Sequence, residues 1–489
     1  MSKGITPQSK DYASWYTDVV RQAELADYGP VKGTMVIRPY GFQLWDNIKE
    51  SFDKMIKATG HVNAYFPLFI PKSFLAREAE HVEGFAKECA VVTHTRLKVD
   101  DDHGLVVDPE SKLKEEIIVR PTSETVIWSM YKKWIQSYRD LPILINQWAN
   151  VVRWEMRTRL FLRTSEFLWQ EGHTAHATAE EAQKETLDIL ELYRQLAEDY
   201  MAIPVITGLK TEFEKFAGAD KTYCIEAMMG DKRALQAGTS HNLGQNFSRA
   251  FDVTFQNKDN QEELVYATSW GVSTRLVGAV IMVHGDDKGL RLPPKIAPHQ
   301  VVMVPIAQNE NGHLKVREFI SPVLDEMRKG GIRIYEDWSD NSPGFKFNEW
   351  EMKGVPLRLE VGPRDIESGQ AVLVRRDTGE KIVLEKNMIT AQAPMLLEEI
   401  QKGLFEQALE FREKNTHEVS SYSNFRDTIK NKGGFIRCGW DGGQKTEMKI
   451  KEDTNATIRC ILNNEDSSGM KCVYSGNPAK HVVIYGKAY

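Results

Sequence analysis

The stretch VVRWEMRTRLFLRTSEFLWQEGH at residues 151–173 constrains this chain more than any other, because it is typical of two β-strands around a basic loop. Strand side chains alternate between the two faces of a sheet. On one face of the first predicted strand lie Arg153 and Glu155. On one face of the second lie Arg163, Phe167, Trp169 and Glu171. Unpaired buried charge is costly, so this face is predicted to bind a charged ligand. A surface hairpin with paired charges is the alternative.

The composition is that of an ordinary globular protein. The chain has 489 residues, 41% of them hydrophobic and 27% charged, and this length is enough for roughly two to four domains. A net charge of −6 gives no overall basic field that would attract nucleic acid. It does not exclude a local RNA-binding patch. Five cysteines, an odd number, fit a reducing cytoplasm better than a disulfide framework.

The chain shows no pattern that predicts a membrane protein. The first twenty residues are polar and lack the apolar core of a signal peptide. The apolar run LVGAVIMV at 276–283 is far shorter than the roughly 20 residues of a membrane span. We therefore expect a cytoplasmic protein that does not enter a membrane.

Three blocks follow one another along the chain. The first, 1–290, mixes helices and strands: an apolar helical stripe precedes Gly60, a strand is predicted over 61–71, and Thr178 with Glu181 forms a capping box for a long helix. The second, 298–400, follows the proline-rich break LRLPPKIAPHQ and has strand–helix–strand order, which predicts a small α/β domain with a parallel or mixed sheet. The third, 401–489, is a small glycine-dotted block.

The residue types in 151–173 suit ATP-dependent activation. An α-phosphate under attack needs cations, and a guanidinium supplies planar bidentate contacts and also stacks on an adenine ring. A glutamate beside the first arginine can accept a hydrogen bond from the adenine amino group or orient that arginine.

Three other stretches carry polar residues at predicted turns. RPTSET at 120–125 places Thr122, Ser123 and Glu124 before a helix, where the carboxylate binds an amine or the segment is a plain N-cap. LQAGTSHNLGQNF at 235–247 gathers polar groups among glycines, or is only a polar turn. TSWGVSTRLVGAVIMVHGDD at 268–287 puts Arg275 on the first turn of an apolar helix, which suits a terminal phosphate. A snorkelling arginine on a buried helix is the alternative there.

These stretches together resemble the class II aminoacyl-tRNA synthetases. VVRWE with RTSEFLWQE resembles motif 2, TSWGVSTRLVGAVIM resembles motif 3, and GHVNAYFPLFIP resembles motif 1, the strand that usually builds the dimer interface. With RPTSET, EKFAGADKT, GTSH and HGDD added, the match is close to the prolyl-tRNA synthetase family of the archaeal/eukaryotic type. The resemblance covers essentially the whole chain. It implies an α+β catalytic domain on an antiparallel sheet, an α/β anticodon-binding domain and a small α/β C-terminal domain.

The resemblance implies a role for each matching residue. Proline would be held by Thr122, Glu124, Arg153, Trp169, Glu171, His173, Phe216 and His241. ATP would be held by Arg153, Glu155, Arg163, Phe167, Gln236, Thr239, Ser273 and Arg275. Arg153 and Arg275 would be the catalytic cations. An apolar pyrrolidine ring needs aromatic walls, and its charged ends need a carboxylate and a guanidinium.

The reaction implied has two steps. The proline carboxylate attacks the α-phosphate of ATP, with Mg²⁺ and arginines neutralising charge. A ribose hydroxyl at the 3′ end of tRNA(Pro) then attacks the acyl carbon of the adenylate. The implied partners are therefore L-proline, ATP and tRNA(Pro), together with a second copy of the chain in a homodimer.

The second block would read the anticodon, because exposed single-stranded bases are recognised by hydrogen bonding and stacking. The candidates are Lys346, Glu351, Lys353, Arg358, Arg364 and Arg376. A solvated charged face is the equal alternative.

The third block departs from the family pattern of four zinc-binding cysteines. It has only Cys438, Cys460 and Cys472, whereas a structural zinc site wants four ligands. We expect no zinc unless Asp441 or His481 contributes. The final tyrosine, Tyr489, is expected to fold back towards the catalytic domain.

The interval between the motif 2 and motif 3 stretches leaves no room for the large editing insertion of bacterial-type prolyl enzymes. One methylene is worth only about 1–3 kcal/mol of discrimination. We therefore hypothesise that alanine or cysteine is misactivated without editing in cis.

Two rival functions remain open. A threonyl or seryl enzyme is one, although a threonyl enzyme needs an active-site zinc and no Cys/His ligand set is visible in 120–285. The other is a class II paralogue that senses an amino acid or nucleotide without charging tRNA.

Overall fold

The computed structural model describes residues 4–77, 88–307, 309–463 and 465–489. The amino-terminal part contains, in chain order, α1 (Tyr12–Gln22), β1 (Ala26–Tyr28), β2 (Met35–Ile37), α2 (Pro39–Ala58), β3 (Val62–Asn63), β4 (Phe69–Pro71), α3 (Lys72–Arg77), β5 (Ala90–His94), β6 (Leu97–Asp100), β7 (Gly104–Val107) and β8 (Lys112–Val119). The central part continues with α4 (Glu124–Trp134), β9 (Ile143–Val152), β10 (Glu166–His176), α5 (Ala179–Gln195), β11 (Val205–Leu209), β12 (Lys221–Met228), β13 (Ala234–Gly244), α6 (Asn246–Phe251), β14 (Thr254–Gln256), β15 (Glu262–Leu264), β16 (Tyr266–Ser273) and α7 (Arg275–His284).

The remaining elements form two groups. The first comprises β17 (Val301–Pro305), α8 (Glu310–Lys329), β18 (Ile334–Glu336), α9 (Pro343–Met352), β19 (Leu357–Val361), α10 (Pro363–Ser368), β20 (Gln370–Arg375), β21 (Lys381–Glu385) and α11 (Ile389–Lys414). The second comprises β22 (Thr416–Glu418), α12 (Tyr422–Asn431), β23 (Phe435–Trp440), α13 (Gln444–Thr454), β24 (Thr457–Ile461) and β25 (His481–Gly486).

The largest sheet has eleven strands in the order β22-β23-β25-β24-β11-β12-β13-β16-β10-β9-β3. Its central pairs, from β11 through β9, are all antiparallel. The predicted antiparallel catalytic sheet is therefore confirmed. The five-stranded sheet, β18-β17-β19-β20-β21, pairs β17 in parallel with β18 and β19 and is otherwise antiparallel, which confirms the predicted mixed α/β sheet.

The sequence patterns predict the long helices well. The stripe in α2 buries Leu44, Ile48, Phe52 and Ile56 against the core, and the helix ends just before Gly60, whose φ of +90° suits glycine. Helix α5 begins at the predicted capping box, in which the Thr178 hydroxyl and the Glu181 carboxylate each accept a backbone N–H.

The predicted strand over 61–71 is wrong in one respect. It is two short strands, β3 and β4, separated by an irregular segment that contains Pro67. A proline has no N–H for the ladder, so it interrupts the pairing there.

The carboxy-terminal segment, defined here as residues 416–489, does not stand apart from the catalytic sheet. Strand β24 pairs with β11 at Leu209 and Ile461, so its strands extend the main sheet. The division at 1–290, 298–400 and 401–489 stays a prediction, and α11 runs continuously across residues 400 and 401.

The chain end folds back onto the central part, within the predicted catalytic domain, as expected for Tyr489. The Tyr489 hydroxyl donates to Asp231, and its ring lies 5.7 Å from the Arg159 guanidinium and 5.4 Å from that of Arg233. Among the described residues, no helix combines the length and apolarity that a membrane crossing would require.

Candidate active site

A cavity of about 310 Å³ lies over the antiparallel strands β10, β16 and β13. Its lining residues are Thr122, Glu124, Arg153, Phe167, Trp169, Glu171, His173, Glu214, Lys215, Phe216, Thr222, Gln236, Ala237, Gly238, Thr239, His241, Ser269, Trp270, Gly271, Val272, Ser273 and Arg275. Every residue predicted to contact proline is in this set. Of the residues predicted to contact ATP, only Glu155 and Arg163 are not.

Strand register explains why these residues meet. Glu171 of β10 lies opposite Gly271 of β16, which lies opposite Thr239 of β13. Two residues further along each strand, His173, Ser269 and His241 form the next row. Because side chains alternate, both rows project towards the same face.

Glu171 is the most heavily satisfied carboxylate of the site. Its Oε1 accepts hydrogen bonds from the Ser123 hydroxyl at 2.5 Å and from Gln147 Nε2 at 2.7 Å, and its Oε2 lies 3.1 Å from His173 Nε2. Burial acts to raise the pKa of Glu171, but the hydrogen bonds and the His173 charge outweigh it and lower that pKa. Glu171 is therefore a carboxylate at neutral pH.

His173 lies beside this carboxylate, and its pKa is raised. Burial acts to lower its pKa, but the hydrogen bond to Glu171 and the charges of Glu124 and Glu171 together raise it. Within the described residues, His173 Nδ1 is buried and has no hydrogen-bond partner. Because a protonated imidazole donates from both nitrogens, Nδ1 can donate to a ligand in the cavity.

The turn before α4 does more than cap the helix. The Ser123 hydroxyl makes no capping hydrogen bond and instead donates to Glu171. Glu124 is the first residue of α4, where a carboxylate is favoured by the positive helix end. The Thr122 hydroxyl donates to its Oε2. The plain N-cap interpretation of 120–125 therefore does not hold.

Arg153 lies beside two aromatic rings. Its guanidinium lies 5.3 Å from the Trp169 ring and 5.5 Å from the Phe167 ring, and its Nε donates to the Pro121 carbonyl at 3.0 Å. Burial lowers the pKa of Arg153 to about 10, so it is still a cation at neutral pH. Its planar guanidinium is suited to binding an anionic group beside a ring.

Arg275 brings a second cation to the same cavity. It begins α7 as predicted, its backbone N–H donates to the Ser273 hydroxyl at 3.2 Å, and its Nε donates to the Leu162 carbonyl at 3.1 Å. Burial, and then repulsion from Arg163, lower the pKa of Arg275. Two like charges in one cavity favour binding of a polyanion.

His241 is neutral, and its pKa shift is opposite in direction to that of His173. Burial, and then the charge of His173, lower the pKa of His241 to about 3. Its Nδ1 lies 2.9 Å from the Thr222 hydroxyl, which also accepts the Phe216 N–H at 3.1 Å, and its ring centroid lies 5.1 Å from that of Phe216. These contacts make one aromatic wall of the cavity.

The basic loop departs from the predicted two-strand pattern. Strand β9 ends at Val152 and β10 begins at Glu166, so Arg153, Glu155 and Arg163 lie beyond the strand ends. The Arg153 N–H still donates to the Ser165 carbonyl at 2.8 Å. Arg163 pairs with Glu155 across 3.8 Å, and this pair does not line the cavity itself.

Several lining residues were not predicted. Ser269 could have been found, because it alternates with Gly271 and Ser273 along β16. Glu214, Lys215 and Thr222 lie in or after a loop that carries no periodic pattern. Only the pairing of distant strands brings that loop to the cavity.

The anticodon candidates divide by burial. Lys346, Lys353 and Arg376 are buried, and each forms an ion pair, with Asp337, Glu349 and Asp286 respectively. Arg358 is bound to Glu360 at 2.9 Å and stacks on Phe347. All four groups are thus engaged in contacts within the chain, and their part in anticodon binding stays a prediction. Glu351, paired with Lys288, and the exposed Arg364 stay predictions.

The cysteines of the carboxy-terminal segment belong to two separate clusters. Cys438 and Cys472 pack in one apolar cluster, whereas Cys460 packs with Cys224 in another. Burial raises the pKa of Cys438, which keeps it a neutral thiol, and a zinc ligand must be a thiolate. The described residues hold no group of three or more metal-ligating side chains. These residues do not fit a zinc ion, and the expectation of a zinc-free segment stays a prediction.

The comparisons with known proteins agree with this architecture. The tRNA synthetase class II core domain (G, H, P, S and T) matches residues 106–284, the anticodon binding domain matches 300–392, and the prolyl-tRNA synthetase C-terminal domain matches 422–489. Together with the antiparallel sheet that carries the cavity, these matches define a class II aminoacyl-tRNA synthetase.

Full-length relatives narrow the class. A protein of Porphyromonas gingivalis (strain ATCC 33277) is 57% identical over 489 residues, covering 100% of this chain and 99% of the relative. Proteins of Chlorobium phaeobacteroides (strain BS1) and Prosthecochloris aestuarii are 57% and 58% identical over all of both chains. Each is named proline--tRNA ligase. This chain belongs to the proline--tRNA ligase family.

Proposed function

We propose that the chain activates L-proline with ATP to give prolyl-adenylate and pyrophosphate, and then transfers proline to the 3′ end of tRNA(Pro). One observation carries the proposal. A single cavity joins an acidic, aromatic end, formed around Glu124, Glu171 and Phe216, to a cationic end with Arg153 and Arg275. The first end suits a small secondary ammonium with an apolar ring, and the second suits a triphosphate.

The proline end is assigned by charge and shape. The Glu124 carboxylate, to which the Thr122 hydroxyl donates, accepts the ring ammonium of proline. Arg153 binds the carboxylate of proline. The walls around the ring are Trp169, His173, Phe216 and His241, with Glu171 setting the charge of His173. The neutral state of His241 suits this apolar contact, because a cation at this position would repel the ammonium.

The nucleotide end is assigned in the same way. Arg153 also reaches the α-phosphate, and Arg275 binds the terminal phosphate at the start of α7. Phe167, Gln236, Thr239 and Ser273 line the space between and contact the nucleotide. The Glu155–Arg163 pair, outside the cavity lining, closes over the adenine when ATP is bound.

The chemistry needs no protein nucleophile. A carboxylate oxygen of proline attacks the α-phosphorus in line, and pyrophosphate leaves with its charge balanced by Arg153 and Arg275. The adenylate carbonyl carbon is then attacked by a terminal ribose hydroxyl, by class II habit the 3′-OH, and AMP leaves. Catalysis is positioning plus charge stabilisation.

Magnesium would arrive with ATP as part of the substrate. Mg²⁺ at such sites keeps water and phosphate ligands and needs only one or two protein carboxylates. The lining carboxylates Glu124, Glu171 and Glu214 are each already bonded within the described residues, to Thr122, to Ser123 and to Lys451. The phosphates would therefore supply most of the ligands.

We assign the chain to the archaeal/eukaryotic type, without an editing insertion. Residues 177–265 are taken up by α5, β11, β12, β13, α6, β14 and β15. Strands β11, β12 and β13 belong to the main sheet, which supports the assignment. Alanine or cysteine would then be misactivated without correction in cis, because both fit a pocket sized for proline.

Anticodon reading is proposed for the five-stranded-sheet domain. Arg364 is exposed at the start of α10 and Glu351 lies at the end of α9. A second cavity nearby is lined by His313, Arg317 and Asn341. Arg317 stacks on Trp338 at 4.5 Å. Stacking groups of this kind suit unpaired bases.

The assembly is proposed to be a cytoplasmic homodimer. The motif 1 segment leaves large apolar side chains exposed, with Val62 61% and Tyr65 72% accessible. Exposed apolar residues grouped on one segment are typical of an interface.

Charging of tRNA(Pro) with labelled proline tests the function against the sensing alternative. A charging enzyme forms acid-precipitable prolyl-tRNA in proportion to enzyme, and Arg275→Ala abolishes the product. A sensor would bind ATP or proline and form none.

A further inference from the structure

The loop that carries Phe216 into the cavity is attached to the carboxy-terminal segment. This loop, residues 210–220, joins β11 to β12 and supplies Glu214, Lys215 and Phe216 to the cavity lining. None of these positions lies in a strand or helix. Its conformation must therefore be set by contacts made at its ends and along its length.

The first contact is a buried hydrogen bond to helix α13. The Thr211 hydroxyl donates to Glu447 Oε1 at 2.9 Å, with Thr211 only 1% and Glu447 only 2% exposed. The same hydroxyl accepts the Glu214 N–H at 3.2 Å, and the Thr211 carbonyl accepts the N–H groups of Glu214 and Lys215. One side chain thus couples α13 to the turn that precedes Phe216.

The second contact is an ion pair one helical turn further along α13. Lys451 Nζ lies 3.1 Å from Glu214 Oε1 and 5.3 Å from the centroid of the Phe213 ring. Glu447 and Lys451 are four residues apart, so they lie on one face of the helix. That face is directed at the loop.

The base of this arrangement is a buried ion cluster. Lys210 donates to Glu226 at 2.8 Å and to the Arg459 carbonyl at 2.6 Å, and Arg459 donates to Glu226 at 2.9 Å. Lys210 is the first residue of the loop, and Arg459 belongs to β24 of the carboxy-terminal segment. The cluster therefore fixes the segment against the strand from which the loop departs.

We propose that helix α13 holds loop 210–220 in the conformation that completes the amino-acid end of the cavity, with Thr211, Glu447 and Lys451 as positioning residues. This inference rests on the proposed proline-activating function. The carboxy-terminal segment then has a specific role in substrate binding without touching the substrate. It acts through Phe216, which packs against His241 and closes the aromatic wall.

The groups that face Glu447 explain its environment. From the catalytic part come Thr211, Glu214 and Lys210, and from α13 itself comes Lys451. Burial raises the pKa of Glu447 to about 7. Glu447 can accept the hydrogen bond from the Thr211 hydroxyl in either protonation state, so this contact persists through neutral pH.

The test measures proline-dependent ATP–pyrophosphate exchange by the unsubstituted full-length chain and by four single-substitution variants. Lys451→Ala is expected to raise KM for proline by about fivefold, the scale of a partly exposed ion pair, and Thr211→Val by about tenfold, the scale of a lost buried hydrogen bond. In both, KM for ATP and kcat should change less than about twofold. Lys451→Arg and Thr211→Ser restore the contacts and should restore KM for proline.

A control and a second readout separate positioning from general damage. Lys449 lies on the same helix and pairs only with the exposed Glu452 within the described residues, so Lys449→Ala should match the unsubstituted chain. Trypsin cleavage after Lys215 should be faster in Lys451→Ala and Thr211→Val than in Lys449→Ala, at equal thermal stability.

The outcomes are distinct. Equal KM for proline and equal cleavage in all variants would overturn the inference while leaving the function intact. A parallel loss of kcat and of ATP affinity would also overturn it, since it would mean general destabilisation. No proline-dependent exchange by the unsubstituted chain would instead contradict the proposed function.

Discussion

His173 Nε2 lies 3.1 Å from Glu171 Oε2, and both side chains are buried on one face of β10. Two residues apart on a strand, they project side by side into the same cavity. Their mutual contact lowers the pKa of Glu171 and raises the pKa of His173. The cavity thus contains a buried Glu171–His173 hydrogen bond, and His173 Nδ1 is left without a partner among the described residues.

Breaking this pair should be costly. Glu171→Gln leaves His173 without its counter-charge, and we expect the free energy of unfolding to fall by about 3 kcal/mol. The lowered pKa of Glu171 makes its contribution present above the ordinary carboxyl pKa and lost as acid is added. The raised pKa of His173 makes its contribution present below the ordinary imidazole pKa and lost as pH rises through the folded value. The difference between the two proteins should therefore be largest between those limits.

Urea unfolding at acid, neutral and alkaline pH measures this. Glu166→Gln is the control, because Glu166 is an exposed carboxylate at the start of the same strand. Similar losses in the two variants at neutral pH would contradict the account.

Arg153 should not be replaceable by lysine. Lys lacks the planar guanidinium that lies beside Trp169 and Phe167 and that can bind two oxygens at once, so Arg153→Lys should lower kcat/KM for exchange by about a hundredfold. Folding should be kept, which circular dichroism would check. Arg157→Lys, an exposed change in the same loop, should have no effect. Activity of Arg153→Lys close to the original would rule out a specific role of the Arg153 guanidinium in catalysis.

Glu447 should make stability fall with pH. Its pKa rises from an ordinary 4.5 to about 7 in the fold, so the folded chain binds the proton more tightly than the unfolded chain. The stabilisation is full below the unfolded pKa and is lost as pH rises through about 7. Glu447→Gln removes this titration and should flatten the profile of the urea midpoint across that range. Parallel profiles for the two proteins would show that Glu447 does not titrate there.

Tyr489 should anchor the chain end through its ring more than through its hydroxyl. Tyr489→Ala removes the contacts with Arg159 and Arg233 and is expected to lower the free energy of unfolding by about 2 kcal/mol. Tyr489→Phe keeps the ring, loses only the hydrogen bond to Asp231, and should cost about 1 kcal/mol. Thermal unfolding of both variants measures the difference. Equal losses would assign the anchoring to the hydroxyl.

The sequence predicted the elements whose signals are local. The capping box of α5, the stripe of α2 and the Arg275 helix start each depend on residues within a few turns. Alternation along β10 also placed Phe167, Trp169 and Glu171 on one face, as the cavity confirms. These patterns act within one element and can be recognised without the fold.

Other features depend on distant pairings. The joining of β24 to β11 places Glu447 beside Thr211, more than two hundred residues earlier. No local pattern predicts that contact. Burial was likewise unpredictable for Lys346, whose ammonium donates to the Asp337 carbonyl at 2.9 Å. A lysine in a charged stretch is more commonly exposed.

Proline-dependent ATP–pyrophosphate exchange, run beside alanine, cysteine and threonine, tests the central claim most directly. The account predicts strong exchange with proline, weaker exchange with alanine or cysteine, and none with threonine, because the cavity offers Glu124 and aromatic walls to a small cyclic ammonium. Absence of exchange with every amino acid, in a folded chain that still binds ATP, would contradict the account and favour a sensing paralogue.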